Sequence, residues 1–176
     1  LFFPCLLFLG ALGLRLFYIY EHSHSPFFNA PIVDARVFYE AAKTIAQGDL
    51  WYGNEPFWQP PFYIYYLALI YKLFPTDFFV ITRLLQASAD ALSCLLIFLI
   101  AQRSIHHNAA RIAGLMAACY GVSIYFLGEL LAVSLEVVLY LALILPLQFA
   151  LKKEHYLYWL TAGLLAGISA ITRPTI

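Results

Sequence analysis

The sequence predicts an all-α integral membrane protein, a polytopic module of about five transmembrane helices with two further helices lying along the membrane in the first external loop. Three observations predict it. Hydrophobic residues make up 63% of the 176 positions and charged residues only 11%, and the mean hydropathy is positive, outside the range of soluble domains. Several apolar runs reach the roughly 20 residues that cross a hydrocarbon core about 30 Å thick. Short polar segments separate them.

Ten Lys and Arg balance ten Asp and Glu, so no excess of positive charge points to nucleic acid. Cys5, Cys94 and Cys119 all fall inside apolar runs. With no CxxC pair and no metal-ligand spacing, they read as small core residues. The chain opens on Leu1 and closes just after an Arg-Pro pair, and is expected to be a piece of a longer protein.

Residues 1–20 form the first predicted span, too long for a signal h-region and without a small-residue cleavage site, hence a retained anchor. A polar connection, "EHSHSPFFNAPIV", follows. In residues 34–48, "DARVFYEAAKTIAQG", Asp34 is placed to cap a helix and Gly48 to end it. Val37, Phe38, Ala41, Ala42 and Ile45 recur at helical spacing against Arg36, Glu40, Lys43 and Gln47. This is the pattern of a helix lying flat on a membrane.

The stretch "WYGNEPFWQPPFYIYYLALIYKLFP" is apolar enough to cross but too short. From Pro61 to Phe74 the chain covers about 21 Å as a helix, less than the hydrocarbon thickness. Tyr63, Tyr65, Tyr66, Tyr71 and Lys72 suit the headgroup boundary. Residues 61–74 are therefore read as a second surface helix. Further spans are predicted at 78–102, 111–127, 130–151 and 156–171, joined by "RSIHHNAAR", "GE" and "KKEH". With 61–74 on the surface, both basic connections face the cytoplasm, as the positive-inside rule requires, and Arg83 is left to snorkel at the outer end of its helix.

On this topology the outer side gathers Asp34, Arg36, Glu55, Gln59, Lys72, Arg83, Glu129 and Arg173. Carboxylates there can take a proton from an acceptor, and cations can stabilise a departing phosphate. Each residue also has an ordinary role: Asp34 as a helix cap, Glu129 as a solvated loop acid, Arg83 and Arg173 as interfacial anchors. Glu136, about two turns into its predicted span, is less ordinary, because an acid at that depth tends to face a cavity. His22 and His24 lack a third metal ligand in view, and His106 and His107 read as solvated loop residues.

"PIVDARVFYEAAKTIAQGDLWYGNEPFWQPPFYIYYLALIYKLFP", "TRLLQASADALSCLLIFLIAQR", "GELLAVSLEVVLYLAL" and "AGLLAGISAITRP", in that order, resemble the amino-terminal half of the GT-C superfamily of membrane glycosyltransferases. They are most similar to the dolichyl-phosphate-mannose protein mannosyltransferase-like family, glycosyltransferase family 39. The resemblance implies a GT-C-like helical module that transfers a sugar from a polyprenyl-phosphate donor to a protein, lipid or glycan acceptor, without a nucleotide sugar, cofactor or metal. It implies that Asp34 activates the acceptor, that Glu129 assists, and that Arg83 and Arg173 hold the donor phosphate. Arg36, Gln59, Lys72 and Glu136 are pocket candidates. This chain has Gln59 where many relatives place a lysine, and Ala35 where many have a second acid, so neither a lysine contact there nor a two-acid site is implied. The partners expected are the lipid-linked sugar, the acceptor and the bilayer, and the setting a bacterial inner membrane with the site facing the periplasm or exterior. A transporter of lipid-linked sugars and a non-catalytic scaffold are the alternative readings.

Overall fold

A computed structural model describes residues 2–52, 59–153 and 155–173. Among these the secondary structure is helical: α1 (Phe2–Ser23), α2 (Val33–Ala46), α3 (Pro61–Leu73), α4 (Phe78–Ser104), α5 (His107–Ala118), α6 (Gly121–Phe126), α7 (Val133–Lys153) and α8 (Tyr156–Thr172). Three of them, α1, α4 and α7, are long and apolar enough to cross a membrane, while α8, with 17 residues, is shorter. Much of the outward surface is apolar, including Leu9, Phe17, Met116 and Leu164. Such a surface suits a hydrocarbon solvent, in which helices satisfy their own backbone groups. The protein is an integral membrane protein.

In the helical array α4 packs antiparallel to α1 and α5 and parallel to α7, and α7 packs antiparallel to α8. One buried cluster joins α1, α4 and α5 through Leu7, Ala11, Ala91, Cys94, Phe98 and Ala118. Gly114 belongs to this contact: a Cβ there would stand 2.7 Å from a Leu7 methyl and 3.2 Å from Phe98 Cβ. The absent side chain is what lets α5 approach.

Helices α2 and α3 pack on each other and cap one end of the array. Phe38, Ala41, Ala42 and Ile45 of α2 meet Tyr63, Ile64, Leu67 and Ala68 of α3, with Phe78 and Leu130 closing the cluster from the array side. Phe38 and Tyr63 make an edge-on ring contact at 5.1 Å, a favoured aromatic geometry. Of the apolar residues on α2 in the sequence pattern, Val37 is exposed, and Ala35 is buried in its place. Gly48, at φ 117°, turns the chain out of α2, a conformation that glycine adopts without steric cost. Pro61 opens α3 at a position where its missing N–H has no helical partner to lose.

The opposite end carries the basic connections. Arg103 at the end of α4 lies over the Phe149 ring of α7 at 3.8 Å, and Gln148 donates to Ser104 at 2.8 Å. His106 and His107 are exposed, and His106 also accepts a backbone N–H at the start of α5, as His155 does at the start of α8.

Three local expectations give way. Asp34 does not cap α2: the helix starts one residue earlier, Ile32 is the N-cap, and no side chain caps it. The apolar run 111–127 is not one helix but two, α5 and α6, parted at Cys119 and Tyr120. Glu136 is not two turns deep, because residues 127–132 form a non-helical link and α7 begins only at Val133.

Candidate functional site

Two cavities open at the end capped by α2 and α3. The first, about 330 Å³, is lined by Asp34, Gln59, Phe126, Val133, Thr172 and Arg173 among others. Its parts come from the first turn of α2, the approach to α3, the link before α7 and the end of α8.

Asp34 reaches this cavity because of the residue before it. Val33 has φ 50°, a left-handed conformation that a β-branched side chain rarely adopts. It carries the chain into α2 with Ile32 as the cap, so the Asp34 carboxylate is left free of the capping role. Asp34 is exposed in the first turn, where the helix dipole favours negative charge. Arg173 follows the last helical residue of α8, and its Nη1 donates to Glu136 Oε2 at 3.2 Å. The arginine side chain is 53% exposed while that of Glu136 is 9% exposed. Glu136, in the first turn of α7, also gains from that helix's positive end.

The second cavity, about 260 Å³, is lined by Tyr18, His22, Arg83, Tyr125, Glu129 and Leu130 among others. Arg83 does not snorkel; it is 2% exposed. Its Nε donates to the Gly128 carbonyl at 2.7 Å and its Nη1 to the Phe79 carbonyl at 3.2 Å, and its guanidinium lies 4.0 Å from the Phe28 ring centre. The Glu129 carbonyl accepts from Gln86 at 2.8 Å. Arg83 and Gln86, one turn apart on α4, therefore hold the link that presents Glu129.

The residues singled out in the sequence thus fall into two groups. Asp34, Gln59 and Arg173, with Glu136 behind Arg173, attend the first cavity; Arg83 and Glu129 attend the second. Residues 129–130 line one and 131–133 the other, so a five-residue wall separates them. Arg36 and Lys72 are exposed and line neither. Glu55, Phe57 and Trp58 lie outside the described residues. Among the described residues no group of three His, Cys, Asp or Glu side chains is disposed to hold a metal ion; His22 packs against the Tyr18 and Phe28 rings instead.

Packing of α2 on α3 keeps several phenols neutral. Burial raises Tyr63 well above the usual phenol range, pushes Tyr66 up to about 12 and raises Tyr39, which Tyr71 raises further. The buried acid and base that sequence reasoning missed are Arg15 and Asp90, 2.6 Å apart inside the helical array. Each stands alone in the middle of an apolar run, and charges so placed are expected to find one another.

A family model described as dolichyl-phosphate-mannose-protein mannosyltransferase matches residues 58–176, well over half of the chain. The chain belongs to the dolichyl-phosphate-mannose-protein mannosyltransferase family. That family is one of membrane glycosyltransferases of the GT-C type. No curated protein and no solved structure matches the chain. The stretch that matches the mannosyltransferase family holds Gln59, Arg83, Glu129, Glu136 and Arg173; Asp34 precedes it and joins it through the first cavity.

Proposed function

We propose that the chain is the amino-terminal part of a glycosyltransferase that moves a sugar from a polyprenyl-phosphate donor to a protein, lipid or glycan acceptor at the α2–α3 end of the array. The observation that carries this reading is the sharing of one cavity by the Asp34 carboxylate and the Arg173 guanidinium.

In this reading the acceptor's nucleophilic atom attacks the anomeric carbon as the bond from that carbon to the phosphate oxygen breaks. Asp34 takes the proton of the nucleophile, and the phosphate leaves with the bonding electron pair. A single displacement of this kind inverts the anomeric configuration. Arg173, half exposed and paired with Glu136, is the cation that meets the developing phosphate charge. Arg83 places a second positive charge behind the wall, and Glu129 assists the acceptor from the second cavity. Residues 102–111 and 151–152, which carry basic side chains, lie at the other end, which by the positive-inside rule is cytoplasmic. The site would then face the periplasm or exterior of a bacterial inner membrane.

The test uses the full-length protein in liposomes with a panel of polyprenyl-phosphate sugars and acceptors. The expected products are glycosylated acceptor and free polyprenyl phosphate. Movement of the intact lipid-linked sugar across the bilayer, with no bond cleaved, would replace this reading with a transporter.

A further inference from the structure

The ion pair inside the array has an arrangement that the transfer chemistry leaves unused. Arg15 is fully buried and spends every nitrogen: Nε on Asp90 Oδ2 at 2.6 Å, Nη1 on the Ala11 and Ala118 carbonyls at 2.9 and 3.1 Å, and Nη2 on Cys94 Sγ at 3.2 Å. The other Asp90 oxygen, Oδ1, accepts from the Ser123 hydroxyl. Ala118 is the last residue of α5, and Ser123 lies in the first turn of α6. The pair therefore grips both sides of the break at Cys119 and Tyr120. Where a helix is interrupted, its last carbonyls lose their intrahelical partners; here the Ala118 carbonyl receives the guanidinium.

The break decides what comes after it. From α6 the chain runs through Tyr125 and Phe126 into the link that walls the two cavities. Phe126 lines the first cavity, Tyr125 and Glu129 the second, and Leu131 to Val133 the first again. An unbroken helix through 111–127 would carry these residues elsewhere.

The geometry points to Arg15 and Asp90 as positioning residues, which hold the α5–α6 break and through it the wall between the two cavities. This rests on the transferase reading for its effect on turnover, but not for its effect on structure. Stability alone is a weak explanation of such a pair, since apolar side chains of similar volume often replace a buried ion pair with no loss. Within hydrocarbon a charge is dearer still. The two explanations therefore predict different behaviour when both charges are removed together.

The experiment compares the full-length protein with Arg15→Met/Asp90→Leu and with Ser123→Ala, by site-resolved hydrogen–deuterium exchange and by transfer kinetics. In the double variant, amides of residues 119–129 should exchange at least tenfold faster while α2, α3 and α7 keep their protection. Turnover should fall at least tenfold, with the KM for donor altered less than threefold. Ser123→Ala, which keeps both charges, should show the same pattern at about a third of the size, and it tests the idea if the double variant does not fold. Wild-type exchange and turnover in either folded variant would overturn the positioning role. A wild-type protein without transfer activity would defeat the functional reading, and the exchange comparison would still decide this one.

Discussion

Arg173 at the end of α8 and Glu136 in the first turn of α7 form an ion pair at 3.2 Å, with the arginine half open to the first cavity and the glutamate buried behind it. The carboxylate points the guanidinium without enclosing it. A cation so held can exchange part of its pairing for a phosphate.

Replacing this cation separates binding from folding. Because Glu136 is buried and losing a charged partner there is costly, the variant to use is Arg173→Gln, which keeps a donor for that carboxylate and should leave the thermal midpoint almost unchanged. The KM for the polyprenyl-phosphate donor should rise at least tenfold, read from initial rates over a donor titration. An unchanged KM would remove Arg173 from the phosphate site.

Arg83 should behave in the opposite way. Its planar fork serves the Gly128 and Phe79 carbonyls while stacking on Phe28, and lysine reproduces neither the fork nor the stacking. Arg83→Lys should lower stability by about 1–3 kcal/mol, the range for a buried polar group that loses its partner. Protease cleavage should then concentrate in residues 127–132. Full thermal stability would show that the clamp is not needed.

Val33 offers a test of backbone strain. The side chain is 77% exposed and little packing is lost with it, whereas its φ of 50° is of the sparsely populated kind that costs on the order of 1–3 kcal/mol. Val33→Gly should therefore leave the thermal midpoint unchanged or raise it, although glycine in a helix ordinarily costs about 1 kcal/mol relative to alanine. A clear fall in midpoint would contradict the strain.

Much of the helical layout can be read directly from the residues. Prolines 60, 61 and 75 bracket α3, Gly48 follows α2, and the two long apolar runs around α4 and α7 have no charged residue at their centres apart from Asp90. What escaped the sequence depends on tertiary partners. The left-handed turn at Val33 moves the cap from Asp34 to Ile32, and nothing in a valine announces it. The break at Cys119 and Tyr120 depends on Arg15, more than a hundred residues away. The division of the acids and arginines between two cavities follows from the short link 129–133, which local periodicity represents only as the joint between two helices. Arg15 and Asp90 were visible as lone charges in apolar runs, and the physical rule that such charges pair would have joined them.

Asp34 bears the central claim, and Asp34→Asn tests it most directly because it removes the charge while keeping the shape. The measurement is sugar transfer by the folded full-length protein in liposomes, wild type beside Asp34→Asn, with donor binding measured on both. General-base catalysis contributes about 10²–10⁴-fold, so transfer should fall by at least a hundredfold while donor binding changes less than threefold. Transfer at the wild-type rate by a folded Asp34→Asn protein would contradict the account.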